Sequence, residues 1–247
     1  MSDLTVGARP NGRAPGEMRS VSIEPGYAPY AEGSALIRMG ETHVLCTATV
    51  EESTAPFLTG SGQGWVTAEY GMLPRSSPER IPRSRSASSG RTKEIQRLIG
   101  RSLRAAVNLA ALGERSIIVD CDVIRADGGT RTAAITGGYV AVHQALERLV
   151  TGGVLERLPI QHMVAAVSAG VVDGQVKLDL EYIEDSTAAV DLNVVMTDAF
   201  RFVELQATAE DGSYSTDELN QMLAISEAGI RDLFRLQRDS LGDLPVG

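Results

Sequence analysis

The chain has 247 residues, a hydrophobic content of 43% and a formal net charge of −9. This composition predicts one folded domain with a proper core and excludes a largely disordered chain. We expect neither a signal peptide nor a transmembrane helix, because no charged start precedes an apolar run and no apolar run reaches 18 residues. Cys46 and Cys121 lie in strand-like runs and are expected to be buried free thiols in a reducing cytoplasm.

Strands and helices are predicted from hydrophobic periodicity, caps and glycine turns. In the first half, strands are expected at 21–23, 34–39, 43–50, 65–70 and 116–124, with one helix from near Arg91 to Val107 and another from Ala133 to Val150. In the second half, strands are expected at 163–172, 175–180, 189–197 and 201–208, followed by a helix from the Ser215–Glu218 capping box to about Ser240. These elements predict an α+β fold in which two β-to-helix halves share one mixed sheet. Residues 1–18 predict an irregular arm, which Arg9, Arg13 and the adjacent Arg19 make basic.

Residues 127–132, which we call the cradle, join a predicted strand to a predicted helix through two glycines. The first N–H groups of a helix have no partner within it, and the helix dipole is positive there. Gly128 and Gly129 let an anion approach the backbone, and Arg131 adds a charged donor. The pattern indicates a phosphate site, although an Asp-Gly-Gly turn alone is more often purely structural.

Basic residues are concentrated in one region of this acidic chain. Residues 75–104 include nine basic side chains and two acidic ones. Residues 75–90 have few apolar side chains and predict a mobile basic loop. The helix that follows carries a basic stripe of Lys93, Arg97, Arg101 and Arg104. Such a region indicates contact with a polyanion, and a solvated loop and helix face is the commoner alternative.

Four carboxylates lie between Glu181 and Asp191. If Asp191 begins a strand, the preceding connection can fold back and bring Asp185 beside it. Two adjacent carboxylates repel each other unless a cation or a proton lies between them, and Mg²⁺ suits a site that also binds phosphate. An acidic surface turn accounts equally well for this motif alone, but its combination with the cradle and the basic stripe favours a site.

Four blocks in this order resemble the bacterial ribonuclease PH enzymes. They are residues 64–75, 90–101, 127–132, and 184–186 together with 191–197. The resemblance extends from Asn11 to the last helix. It implies an α+β ribonuclease PH fold, related to the second domain of ribosomal protein S5, with duplicated βαβ units, a left-handed crossover, mixed sheets and helices packed on them. A single domain is then expected over residues 1–247, with its core at roughly 10–240.

The resemblance also implies an activity. Such enzymes are phosphate-dependent 3′→5′ exoribonucleases, or tRNA nucleotidyltransferases, which trim the 3′ ends of tRNA precursors. They use inorganic phosphate as co-substrate, release nucleoside diphosphates one at a time, and can add nucleotides in the reverse reaction. The resemblance further implies Mg²⁺ or Mn²⁺ and a homo-hexamer built as a trimer of dimers, with no membrane contact.

The resemblance assigns roles position by position. Arg91, Gly129, Thr130 and Arg131 match the family's phosphate-binding residues. Asp185 and Asp191 match its acidic pair, which is linked to catalysis and to the metal. The residues expected to contact RNA are Arg75, Arg80, Arg83, Arg97 and Arg101.

We therefore hypothesise that bound phosphate attacks the last phosphodiester of an RNA 3′ end, with positioning and charge neutralisation supplying most of the acceleration. Asp185 is expected to act as general acid and Asp191 as metal ligand, although the pair can also work as a unit. The alternative is a catalytically inactive RNA-binding ring subunit, but such proteins typically lack an arginine or aspartate of this site. Hydrolysis is disfavoured, because a water nucleophile does not need two arginines.

Overall fold

The computed structural model describes residues 9, 11–84, 89–210 and 212–242 and contains two sheets. The strands of the first are β1 (Val21–Pro25), β2 (Gly33–Met39), β3 (Thr42–Glu51), β4 (Trp65–Met72) and β5 (Ser116–Arg125). They lie in the order β1-β2-β3-β5-β4, with β4 and β5 parallel and the other neighbours antiparallel.

The second sheet is antiparallel and has the order β7-β6-β8-β9. Its strands are β6 (Val164–Val172), β7 (Gln175–Leu178), β8 (Val190–Thr197) and β9 (Phe202–Ala209). The helices are α1 (Gly90–Arg104), α2 (Leu109–Leu112), α3 (Thr130–Thr151), α4 (Tyr182–Asp185) and α5 (Thr216–Leu241), and Pro56–Leu58 forms a short 3-10 turn. Among the described residues, none of the helices is long and apolar enough to cross a membrane.

Helix α3 lies at the centre of the fold and contacts β2 and β3 of the first sheet and β6 of the second. It is buried on most sides, as expected for a helix whose apolar residues are not confined to one stripe. Its glycines allow close packing, since a Cβ on Gly137 would lie 2.7 Å from Cγ2 of Ile37. The N-terminus of α3 is thereby placed against the second sheet.

Helix α5 covers the other side of the second sheet. Its apolar face, including Ile230, Leu233 and Phe234, packs against alternating apolar residues of the sheet such as Val167 and Val194. Because strand side chains alternate between faces, Asp191 and Asn193 of β8 belong to the opposite face. That face is directed towards α3, so its polar residues lie near the cradle.

The structure corrects the predicted topology in three respects. The two halves do not share one mixed sheet, because α3 packs between two separate sheets of which only the first is mixed. Helix α1 ends at Arg104, and Val107 instead makes an isolated β-bridge with Ile160. The short helices α2 and α4 were not predicted, because four residues are too few for a detectable period.

Candidate active site

The cradle forms the N-terminus of α3, where the chain leaves β5. Gly128 and Gly129 have φ values of +74° and +65°, which glycine adopts without strain. A Cβ on Gly128 would also lie 2.4 Å from the carbonyl oxygen of Leu180, so no larger residue fits. The N-cap Gly129 provides no side-chain cap to the first turn of α3. Its free N–H groups and the positive end of the dipole can therefore receive an anion.

Two arginines from different helices converge on the cradle. Arg131 is in the first turn of α3 and donates from Nη1 to Oε1 of Gln206 on β9, at 3.3 Å. Gln206 in turn donates from Nε2 to Oε1 of Glu94 on α1, at 3.0 Å. Arg91 is exposed in the first turn of α1. The side chain of Gln206 thus links the two helices that carry the predicted phosphate arginines.

The charges of Arg91 and Arg131 both act on Tyr70, which contacts the cradle. Its hydroxyl lies 2.8 Å from Oγ1 of Thr130. Burial raises the pKa of Tyr70, against the opposing effects of the Thr130 hydrogen bond and of the charges of Arg91 and Arg131. The phenol therefore stays neutral and orients the Thr130 hydroxyl. Tyr70 was not predicted as a site residue, because its only signal in the sequence is its position in a block that resembles the ribonuclease PH enzymes.

Asp185 and Asp191 are brought together, as predicted, although Asp185 ends the short helix α4 instead of lying in an irregular connection. Burial raises the pKa of Asp185, and the charges of Arg91 and Arg131 offset this only in part. Burial, and next the charge of Asp185, raise the pKa of Asp191. An amide hydrogen bond of 3.2 Å from Nδ2 of Asn193 reaches Oδ2 of Asp191. Asp185 and Asp191 therefore form a half-buried pair of carboxyl groups beside Arg91 and Arg131.

The acidic pair fits a Mg²⁺ ion. Across the described ranges, no group of three or more His, Cys, Asp or Glu side chains could hold a metal on its own. Mg²⁺, however, usually takes one or two protein carboxylates and completes its shell with water and substrate phosphates. The raised pKa values of Asp185 and Asp191 reflect desolvation and, at Asp191, repulsion from Asp185. A divalent cation between the two carboxylates would relieve that repulsion.

The arginines predicted to contact RNA lie in two places. Arg75, Arg80 and Arg83 are exposed on the segment after β4, which begins beside the cradle because N–H of Ala126 donates to the carbonyl of Ser76 at 2.8 Å. Residues 85–88 of the predicted basic loop lie outside the described residues, and the loop's mobility stays a prediction. On α1, Arg97 is exposed, whereas Arg101 pairs with Glu204 at 2.5 Å.

The prediction that Arg104 belongs to the basic stripe of α1 is wrong. Its guanidinium lies 4.1 Å from the ring centroid of Trp65 and donates to the carbonyl of Val66 at 2.9 Å. These contacts fix the end of α1 against β4, because a guanidinium over an indole ring gains cation–π attraction. Arg104 therefore has a structural role, and the exposed stripe consists of Lys93, Arg97 and Arg101.

The arginines of the N-terminal arm form a buried ionic cluster beneath the site, which the sequence did not predict. Arg9 donates to both carboxylate oxygens of Glu184, at 2.8 and 2.6 Å, and Arg19 lies 2.7 Å from Asp179. Burial acts to raise the pKa of Glu184 and Asp179, but the hydrogen bonds and charges of Arg9 and Arg19 outweigh it and lower both values. Residues 11–18 are irregular, as predicted for this part of the arm, but Arg9, Arg13 and Arg19 do not form an exposed surface.

The cluster reaches the cradle through Arg19. Its guanidinium donates to the backbone carbonyls of Asp127 and Gly128. Oγ1 of Thr42 donates to the Gly128 carbonyl at 2.6 Å, and the same Oγ1 accepts a hydrogen bond from N–H of Asp127 at 2.9 Å. The cradle is thus held from behind, while within the described residues the N–H groups of Gly129 and Thr130 have no hydrogen-bond acceptor. No local sequence signal could reveal this support, because Arg19 and Asp179 are 160 residues apart.

Comparison with known proteins identifies a family that matches both halves. Domain 1 of the 3′ exoribonuclease family matches residues 17–146, and domain 2 of the same family matches residues 162–229. The ribonuclease PH proteins of three Cereibacter sphaeroides strains are each 56% identical over 236 residues, covering 95% of this chain and 100% of theirs. The chain belongs to the 3′ exoribonuclease family.

Solved structures show the same fold in distant relatives. The Archaeoglobus fulgidus exosome with RNA bound to the active site has a TM-score of 0.82 and 21% identity, and the match covers 94% of this chain and 93% of that one. Rice (Oryza sativa) Rrp46 has a TM-score of 0.74 and 20% identity, with 94% and 99% covered. The predicted α+β ribonuclease PH fold is therefore confirmed, while the left-handed crossover stays a prediction.

Membership of this family also confirms the predicted resemblance and activity. The protein is a phosphorolytic 3′→5′ exoribonuclease, a phosphate-dependent tRNA nucleotidyltransferase with RNA as substrate and inorganic phosphate as co-substrate. The full-length identity to ribonuclease PH proteins favours this enzyme over the inactive ring subunit that we considered as the alternative.

Proposed function

We propose that this site performs phosphorolysis with the residues predicted from the sequence. Inorganic phosphate would bind the free N–H groups of Gly129 and Thr130 between the side chains of Arg91 and Arg131. The observation that supports this assignment is the uncapped N-terminus of α3, with two arginines converging on it beside a diacid. Backbone N–H groups, a helix dipole and guanidinium groups together form a strong anion site.

In the proposed reaction, an oxygen of the bound phosphate attacks the phosphorus of the terminal phosphodiester. The new P–O bond forms as the bond to the 3′ oxygen of the penultimate nucleotide breaks. The products are a nucleoside 5′-diphosphate and an RNA shortened by one nucleotide, with a new 3′ hydroxyl group. Arg91 and Arg131 neutralise charge on the reacting phosphates and hold the nucleophile in line with the leaving oxygen.

Asp185 would donate the proton that the leaving 3′ oxygen requires. Its raised pKa, caused mainly by burial, increases the protonated fraction of the carboxyl at a given pH. Asp191 would hold Mg²⁺ or Mn²⁺ together with Asp185, and Asn193 fixes the orientation of the Asp191 carboxylate. The metal would supply charge neutralisation at the transferred phosphoryl group. The two carboxyl groups titrate as a coupled pair, so the acid and ligand roles can be shared.

RNA would approach over the exposed arginines outside the cradle. Arg75, Arg80, Arg83 and Arg97 are exposed, and we expect them to contact the backbone upstream of the 3′ end. Arg101 would have to exchange its partner Glu204 for a phosphate. We infer that tRNA precursors are among the substrates and that the chain acts as one domain within a trimer-of-dimers hexamer, as the resemblance to the bacterial ribonuclease PH enzymes implies.

A cytoplasmic location is the remaining part of this proposal. Cys46 and Cys121 face each other across β3 and β5 and are buried free thiols. The hydrogen bond with Cys46, followed by burial, raises the pKa of Cys121, so neither a reactive thiolate nor a metal site is favoured there. A buried pair of reduced cysteines suits a reducing compartment.

The experiment that tests the function uses an RNA labelled in its last nucleotide, with Mg²⁺ and with or without inorganic phosphate. We expect labelled nucleoside diphosphate only when phosphate is present. Release of nucleoside monophosphate, or cleavage that is indifferent to phosphate, would contradict the proposal.

The phosphate assignment is tested separately with Arg131→Ala. We expect the phosphate KM to rise about 10-fold or more, because a hydrogen bond to a charged group contributes about 1.5–3 kcal/mol. RNA affinity should change little. Arg148→Ala, at the other end of α3, is the matched control and should retain wild-type kinetics. A collapse of RNA binding in Arg131→Ala would instead identify Arg131 as an RNA contact.

A further inference from the structure

Asp127 is an acidic residue of the cradle to which the proposed chemistry gives no direct role. Its Oδ1 accepts a hydrogen bond from N–H of Tyr182, the first residue of α4, at 3.2 Å. Its Oδ2 lies 3.8 Å from Nη1 of Arg19. Its N–H donates to Oγ1 of Thr42 at 2.9 Å, and its carbonyl accepts from Arg19. Every polar atom of Asp127 is therefore engaged, with the side chain directed towards α4 and the backbone towards the first half of the fold.

Helix α4 needs such an external contact. It has only four residues, and a single turn is not stable through its own hydrogen bonds. Glu184 ties one side of the turn to Arg9, and Asp127 holds its first N–H group. The last residue of the same turn is Asp185. The position of Asp185 thus depends on contacts from outside the helix, one of which comes from the cradle itself.

The backbones of the cradle and of the α4 entry also lie against each other. A Cβ on Gly128 would lie 2.4 Å from the carbonyl oxygen of Leu180 and 3.0 Å from the nitrogen of Tyr182. The glycine after Asp127 therefore permits the approach, and the Asp127 carboxylate bonds the two segments where they meet. This contact connects the cradle directly to the turn that carries Asp185.

We propose that Asp127 is a positioning residue, which fixes the phosphate cradle relative to the carboxyl group of Asp185. The inference rests on the proposed function, in which phosphate binds the cradle and Asp185 protonates the leaving oxygen. Attack and protonation occur on opposite sides of one phosphorus atom, so their rate depends on the separation of cradle and acid. A displacement of about 1 Å can lower a rate by about 100-fold.

The test compares Asp127→Ala with the conservative variant Asp127→Asn. Alanine removes the acceptor for N–H of Tyr182, whereas the asparagine carbonyl keeps it. The hydrogen bonds of Asp127 with Thr42 and with the Arg19 side chain use its backbone and are retained in both variants, whereas the ion pair between Oδ2 and Arg19 is lost equally in both. We expect Asp127→Ala to lower kcat by about 10- to 100-fold with the phosphate KM changed by less than about 3-fold, and Asp127→Asn to restore most of kcat.

A second measurement does not depend on activity. Amide hydrogen exchange of residues 182–185 should be faster in Asp127→Ala than in the wild type and near wild type in Asp127→Asn, while exchange in α3 and α5 is unchanged. Unaltered exchange at 182–185 in Asp127→Ala would overturn the proposal, as would an asparagine variant that is as impaired as the alanine one. A wild-type protein without phosphorolysis would refute the proposed function, and the exchange data would still decide whether Asp127 holds α4.

Discussion

The buried pair of Arg9 and Glu184 offers a sharp test of what holds the active site from beneath. The side chains of Arg9 and Glu184 are 0% and 2% exposed, and their two hydrogen bonds make a bidentate pair. Arg9 also donates to the carbonyls of Glu17 and Asp179, at 3.0 and 2.9 Å. Arg9→Met keeps most of the side-chain volume but removes every one of these donors.

The expected loss of stability in Arg9→Met comes from the Glu184 carboxylate, which loses its partner. Removing one partner of a buried ion pair costs about 3–5 kcal/mol, because the other charge stays buried. Arg13 and Lys177 lie 3.5 and 4.0 Å from Glu184 and partly compensate, so we expect the lower end, about 3 kcal/mol. For a chain of this size that corresponds to a Tm lower by about 6–12 °C.

Urea unfolding of Arg9→Met, extrapolated to zero denaturant, measures this loss. The control is Arg38→Met, since Arg38 pairs with Glu24 at the surface, at 3.2 Å and with side chains 36% and 54% exposed. Exposed pairs contribute about 0–1 kcal/mol. The double variant Arg9→Met with Glu184→Met should lose less than the sum of its single variants. A loss below about 1 kcal/mol in Arg9→Met would refute the view that this pair anchors the site.

Three further predictions follow from the site. Gly128→Ala should abolish phosphorolysis and destabilise the fold, because its Cβ would lie 2.4 Å from a backbone oxygen. The control Gly174→Ala has a similar φ but lies in open space, so it should lower the free energy of unfolding by only about 1–2 kcal/mol. Activity and Tm of both variants check this prediction. The pKa values of Asp179 and Glu184 are lowered in the folded state, so both carboxylates stabilise the fold at pH above their unfolded-state pKa values of about 4. This contribution should be lost as the pH falls through their folded-state pKa values. Acid unfolding should therefore begin at a higher pH in Arg9→Met than in the wild type. Arg97→Ala should weaken RNA binding and reduce the slope of log K against log salt by about 1, without changing the phosphate KM.

The elements that local chemistry defines were predictable from the sequence. The Ser215–Glu218 capping box marks the start of α5, and both of its reciprocal hydrogen bonds are present. The strands predicted at 163–172 and 175–180 are present as β6 and β7, which the Asp173–Gly174 turn joins. Sheet membership was not predictable, because alternation shows which side chains are buried but not against which element. The helix α3, buried on most sides, gave no sign that it separates two sheets.

The residues of the site were likewise predictable only where a short local motif contains them. The cradle and the acidic pair each form a short local motif, so their residues could be found and are brought together. The arm was predicted to be basic but not to pair its arginines with buried carboxylates, since the partner of Arg9 lies 175 residues away and no local pattern reports it. Asn11 illustrates the same limit, because its amide donates to Glu181 and accepts from Arg13, a pairing that only the folded structure shows.

The two halves of the active site come from opposite halves of the chain, and polar links join them. Gln206 of the second sheet contacts Arg131 and Glu94, which belong to helices α3 and α1 of the first half. Asp127 holds the turn that carries Asp185, and Arg19 connects the cradle carbonyls to Asp179. A fragment covering the first matched domain would keep the cradle sequence but lose Gln206, Asp179 and Tyr182. The phosphate site therefore depends on the second half for its geometry, even though none of its proposed phosphate-binding residues lies there.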